Sequence, residues 1–398
     1  MKFGLKVGSM AVGFKMMDES ICGDLYIGDK EFADGIRIIG RSYRDVSIPI
    51  ILEAIRNGLR VLIIDDLGFY SKFVPGIRAD FIPLKIGIDF KFPIFEPNGI
   101  TIEEHVFWLK RLLEQSFNDN GRWREVFIPA LTAIVKSGSS SPLEVLDEVK
   151  KLYDESNGVE KPIYLSLKLL IDNFLTRDVA RIFEAIEYPK LQSILNGNFI
   201  LDFSWLPVQQ RGVFKAIFLL ELSAIRAREV LIVVDRANRP FNKDLRHLNS
   251  DLVIKLRDRG FYTIMEDLLP LDDEVAELHP IEIIAKDKAI LRKMGNEEVF
   301  KPIKYVPLGV RGEYKDNYEL SEDEFKMALK ILKLVNNCCG IGSNGLMALL
   351  HGERKIKSIA EALCRKGFLN EFTILGEQAY KISAKGLKAM RSGDILGL

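Results

Sequence analysis

Residues 36–70 read IRIIGRSYRDVSIPIILEAIRNGLRVLIIDDLGFY. An aliphatic run, a loop opening at Gly40, an amphipathic stretch and a second aliphatic run at 61–65 (VLIID) predict strand, loop, helix and strand. That is the layout of a P-loop βαβ unit, whose loop reads G-x-x-x-x-G-K-[ST]. Its glycines let backbone N–H groups wrap the phosphates, its lysine neutralises their charge, and its hydroxyl holds Mg²⁺. Here Gly40 stands at the first position and Ser47 at the last, but Asp45 replaces the second glycine and Val46 the lysine. A carboxylate facing a triphosphate repels it, and valine donates no hydrogen bond. Two readings stay open: a site that binds nucleotide without hydrolysing it, or an inherited turn that binds nothing. The lost lysine and the gained aspartate favour the second.

Further blocks along the chain carry a family resemblance. IIGRSYRDVS (38–47) resembles the GRTGSGKS loop of the HerA/FtsK-type DNA-translocating ATPases, and NGLRVLIIDDLGFYSKF (57–73) the strand and turn that follow it there. NGNFILDFSWLPVQQ (196–210), a long helical stretch and VLIVVDRANRPF (230–241) resemble that family's D-L-S strand, helix and hhhhDEAH Walker B strand. DLVIKLRDRGFYTIMEDLLPLDDEV (251–275) is similar to the block that ends A-T-Q-S-P-x-D-L-P. The resemblance spans residues 1–310 and implies a RecA-like α/β domain with a mainly parallel sheet. It implies that Asp235 keeps the Mg²⁺ position, that Arg236 replaces the water-polarising glutamate, and that the sensor glutamine is lost, with Glu266 or Asp267 nearby. Ser47 and Asp235 alone form a weak Mg²⁺ pair. Arg236 has a structural alternative, pairing with Asp235 or Asp45 in the vacated phosphate site. Arg257, with Arg259 beside it, falls where the family shows a basic residue that can reach a neighbouring subunit, against a plain solvated helix end. Asp65 and Asp66 read as a strand end and turn.

The 398 residues have room for two or three domains, and 47% hydrophobic with 28% charged residues is ordinary for a globular chain. Formal net charge is zero, so nucleic-acid affinity must come from local patches. The four cysteines form no C-x-x-C pair, and the four histidines, His105, His247, His279 and His351, show no H-x-x-x-H spacing. No apolar run is long enough to span a bilayer, and the opening MKFGLKVGSMAVGF is too glycine-rich and polar for a signal peptide. The expected compartment is the cytoplasm. Five glutamines beside abundant Ile, Lys and Glu lean toward an archaeal or thermophilic source.

Residues 1–30 suggest a small β element and 80–97 a β-like, proline-rich stretch. From 101 to 195 apolar residues recur every three to four positions, which predicts an all-helical insertion, including a helix over 127–137. Strands return at 198–203 and 230–235. Residues 300–318 read as a linker. Residues 319–398 then predict three helices, the first opened by a Ser321/Glu324 capping box, followed by a β-hairpin and a last helix. This is a winged-helix pattern, and the YKISAKG ending (380–386) resembles that of many winged-helix proteins. From His351 onward nine basic residues, among them Arg354, Lys355, Lys357, Arg365, Lys366, Lys381 and Lys385, face five acids, a local excess of about +4 that suits phosphate contact. Protein docking is the alternative use of such a module.

The expectation is a non-enzymatic chain: a degenerate ATPase with no cofactor expected, ATP and Mg²⁺ staying open only as weak ligands. It binds duplex DNA or serves as partner subunit to an active ATPase paralogue or a nuclease, with self-association possible. The rivals are a slow or composite ATPase and a winged-helix DNA-binding regulator. Asp45→Gly with Val46→Lys should return ATP binding only if the loop keeps P-loop geometry.

Overall fold

The computed structural model describes residues 10–17, 20–27, 32–97, 99–116, 141–238, 246–271, 273–285, 289–293, 296–302, 322–350, 355–365, 367–374 and 377–392. One large sheet organises the first three quarters of the chain. Its strands are β1 (Met10–Met17), β2 (Ser20–Ile27), β3 (Ile36–Ile39), β4 (Arg60–Asp65), β5 (Phe81–Lys85), β6 (Asn198–Asp202), β7 (Val230–Asp235), β8 (Phe261–Asp267), β9 (Ile281–Ile284), β10 (Ala289–Lys293) and β11 (Asn296–Pro302). They run in the order β2-β1-β11-β10-β9-β3-β8-β7-β4-β6-β5. From β9 to β5 every pairing is parallel, while β10, β11, β1 and β2 add an antiparallel meander beyond β9.

The aliphatic strands explain the layering. In β4 and β7 nearly every residue is buried, as in a parallel sheet covered on both faces. Side chains alternate, so Leu62, Ile64, Val230, Ile232 and Val234 enter one core, and Val61, Ile63, Leu231 and Val233 the other. Helix α1 (Tyr43–Arg56) joins β3 to β4 and covers the second face with α2 (Phe69–Ile77). The first face carries α3 (Ile102–Ser116), α4 (Pro142–Glu155), α5 (Lys161–Phe174), α6 (Arg177–Phe183), α7 (Val208–Ser223) and α8 (Arg246–Asp258). Between β8 and β9 lies the short α9 (Asp273–Glu277).

Two expected stretches resolve differently. Of 80–97 only Phe81–Lys85 is strand. Beyond it Gly87 takes φ +84°, and the Asp89 carboxylate accepts from Lys85 N at 2.9 Å, which turns the chain out of the ladder. The expected linker at 300–318 begins inside β11, and its remainder, from 303, lies outside the described residues, as do Ser321 and the expected helix at 127–137.

The C-terminal unit comprises α10 (Glu322–Asn337), β12 (Ile341–Gly342), α11 (Ser343–Leu349), α12 (Lys355–Arg365), the hairpin β13 (Leu369–Ile374) and β14 (Glu377–Ile382), and α13 (Ala384–Ser392). Ile331, Leu332, Val335, Ile356, Ile359, Leu363 and Tyr380 form its own apolar core. Strand β12 closes a three-stranded sheet against β14. The unit rests on the segment after β5. Gly342 N donates to Ile88 O at 3.0 Å, and Gly345 N to Asp89 Oδ1 at 3.3 Å. The buried Lys91 ammonium joins Glu184 O (2.9 Å) to Cys338 O (2.5 Å). A Cβ at Gly345 would lie 1.9 Å from Asp89 O, so glycine is what permits this approach.

Candidate functional site

In an open parallel sheet, ligands bind beyond the carboxyl ends of the strands. Here those ends present Gly40 after β3, Asp267 on β8, Asp235 on β7, Asp65 and Asp66 at β4, and Asp202 on β6. One strand, β8, separates β3 from β7. Gly40 has φ +115°, and a Cβ on it would lie 2.2 Å from Ala285 O, so this turn demands glycine.

Only Arg41 and Ser42 stand between Gly40 and helix α1, which begins at Tyr43. Gly40 N donates to Asp267 O (3.0 Å), Tyr43 N to Gly40 O (3.3 Å) and Asp45 N to Ser42 O (3.0 Å), so these amides are bound within the fold. Asp45 sits exposed in the first helical turn. Val46 is wholly buried in the aliphatic core. Ser47 is buried as well, its hydroxyl 2.6 Å from Tyr70 Oη.

The space beside Asp235 is filled from α1. Tyr43 Oη donates to Asp235 Oδ1 at 2.5 Å, and Arg44 Nη2 stands 3.4 Å from both carboxylate oxygens. The Arg44 guanidinium is held over the rings of Tyr43 (4.8 Å) and Phe69 (4.6 Å). Burial, then the neighbouring Asp235, drives the Tyr43 phenol far above its ordinary range, so it stays a donor. Asp66 N supplies Asp235 Oδ2 at 3.1 Å. From α7, the fully buried Lys215 reaches Asp235 O (2.7 Å) and Asp66 Oδ1 (3.0 Å).

Arg236, in the left-handed region at φ +56°, pairs with Asp267 Oδ1 at 3.6 Å. The alternative of a pair with Asp235 or Asp45 is therefore corrected. The left-handed backbone at Arg236 carries its side chain toward the end of β8, and Arg44 takes the place by Asp235. Asp65 is the strand-end turn expected of it: its carboxylate caps α2 through Gly68 N (2.9 Å), Phe69 N (3.2 Å) and Ser71 N (2.8 Å). Asp66 goes beyond that expectation and joins the ion network.

Six carboxylates, Asp65, Asp66, Asp202, Asp235, Glu266 and Asp267, are buried around this crevice. The cations set among them are Arg44, Arg211, Lys215 and Arg236. Two of the acids hold protons near neutrality. Burial pushes Glu266 up to about 8, although Tyr70 Oη donates to it at 2.5 Å. Burial, then the Asp235 charge, pushes Asp65 up to about 7 against its backbone hydrogen bonds. Four cations are thus set among six buried carboxylates, and the crevice offers a polyanion cations that are already paired within the fold.

The fold is the RecA-like P-loop fold. The chain superposes on VirB4 of Thermoanaerobacter pseudethanolicus with a TM-score of 0.58 and 13% identity, covering 75% of this chain and 97% of that one. It superposes on the bacterial conjugative coupling protein TrwB, unbound form, with a TM-score of 0.51 and 11% identity, covering 72% and 88%. At such identities the likeness is one of fold. No protein-family model matches the sequence, and no curated protein matches it.

In the RecA-like core, Gly40, Ser47, Asp235, Arg236, Glu266 and Asp267 come together at one end of the sheet. Arg257 does not join them. It lies in α8, packed over Gly35 and near the buried His279; a Cβ at Gly35 would meet its guanidinium at 2.2 Å. Burial lowers its pKa, which marks an inward-turned side chain. Sequence reasoning missed Tyr43, Arg44, Tyr70 and Lys215. The first two occupy variable positions of the loop motif; Lys215 is a lone cation within the apolar run VFKAIFLL, and that contrast was its signal. In the C-terminal unit Lys355, Lys357, Lys381 and Lys385 are exposed. Arg354 and Lys366, and the side chain of Arg365, lie outside the described residues. Among the described residues, no group of three or more His, Cys, Asp or Glu is disposed to hold a metal, and no helix is long and apolar enough to cross a membrane.

Proposed function

We propose that this chain is a non-hydrolysing RecA-like protein of the DNA-translocase kind, acting as a DNA-binding or partner subunit in a DNA-processing assembly. The observation that carries the reading is the Tyr43–Asp235 hydrogen bond, with Arg44 stacked beside it, in the place a Mg²⁺–triphosphate would need. ATP and Mg²⁺ fit these residues poorly. The loop is short, its lysine position is a buried valine, and Asp235 is already satisfied by three donors. A polyphosphate would face buried carboxylates whose partner cations, Arg44, Lys215 and Arg236, are already engaged within the fold.

The fold shared with a bacterial conjugative coupling protein is in keeping with the assembly side of the reading, and the exposed lysines of the C-terminal unit support duplex binding. We read that unit as a winged helix. The retained scaffold fits a role beside an active paralogue or a nuclease, in which surfaces matter and turnover does not. Turnover and calorimetry on the pure protein test the proposal: the expected result is neither ATP binding nor hydrolysis, with or without DNA. Turnover near ~1 per second, abolished by Asp235→Ala, would restore the ATPase reading.

A further inference from the structure

We draw no further inference here: the strongest candidate, the open cleft between the start of α3 and the ends of α7 and α8, sets Arg226, Lys255 and Arg259 against Glu104 and Asp258, and with Lys255 paired to Glu104 and Arg259 bound to Ser223 O nothing in the structure shows what would occupy it.

Discussion

Replacing Tyr43 by Phe removes one oxygen from the centre of the candidate site and leaves the ring, so it isolates the hydrogen bond to Asp235. That bond is 2.5 Å long, wholly buried and made to a carboxylate. Hydrogen bonds to charged groups contribute about 1.5–3 kcal/mol, and a buried acceptor left short of a donor costs about 1–3 kcal/mol. Arg44, at 3.4 Å from both oxygens, and Asp66 N, at 3.1 Å, still supply the carboxylate. The loss should therefore lie near the middle of the range, about 2 kcal/mol. The assay is urea unfolding followed by core fluorescence, with Asp235→Asn and the double variant completing a cycle. Residues in direct contact couple by about 0.5–3 kcal/mol, and a coupling of at least about 1 kcal/mol is expected here. A Tyr43→Phe variant as stable as wild type, with no coupling to Asp235→Asn, would refute the claim that this pair closes the crevice.

The buried acids Glu266 and Asp65 give the stability a pH dependence of known sign. Their folded pKa values, about 8 and about 7, lie above the unfolded values of 4.5 and 3.8, so the folded state holds protons that the unfolded chain has released. Their contribution to stability should be full below about pH 4 and be lost toward pH 8, by at most about 1.4 kcal/mol per unit for each group; between about pH 5 and 8 the thermal midpoint of Glu266→Gln should decline less than that of the wild type, and an equal decline would refute the assignment. Asp45→Gly with Val46→Lys should not restore ATP binding, because α1 starts at Tyr43 and a lysine at 46 would be buried in an aliphatic core at a cost of several kcal/mol; micromolar binding by calorimetry would show that the loop can re-form. Gly345→Ala should detach the C-terminal unit, since its Cβ would overlap Asp89 O at 1.9 Å, and the chain should then be cut by protease at 303–321 faster than wild type; equal cutting would refute it.

Much of the fold could be read from the chain because its strands are unambiguous. VLIID and VLIVVD are too short for buried helices and too apolar for half-exposed strands, so they fall at the middle of a covered parallel sheet. The segment after β5 could not be read the same way. Its apolar residues alternate as in a strand, but Gly87 and Asp89 set a turn that seats α11, a partner 256 positions away. The site was half legible. The motif positions Gly40, Asp45, Val46, Ser47, Asp235 and Arg236 marked what the loop lacks. What fills the space instead depends on where α1 begins, and that is set by the tertiary contacts of Tyr43 with Asp235 and of Ser47 with Tyr70. The sequence left Asp235 and Asp45 open as partners for Arg236, and the left-handed backbone at that residue turns it to Asp267 instead.

The seat of α11 on Asp89 has a mechanical meaning. Gly342, Gly345 and Cys338 of the C-terminal unit are held by Ile88, Asp89 and Lys91, one short segment of the core next to β5, which leaves little slack between that unit and the sheet. Tension on a strand of nucleic acid held there would pass through the Asp89 and Lys91 contacts into β5, the outermost parallel strand, and from it across the ladder to β6 and β4. Hydrogen bonds of a ladder loaded along the strands share the force in shear. If the chain does hold nucleic acid as proposed, this seat would pass a pull from the C-terminal unit into the sheet, as an anchor does.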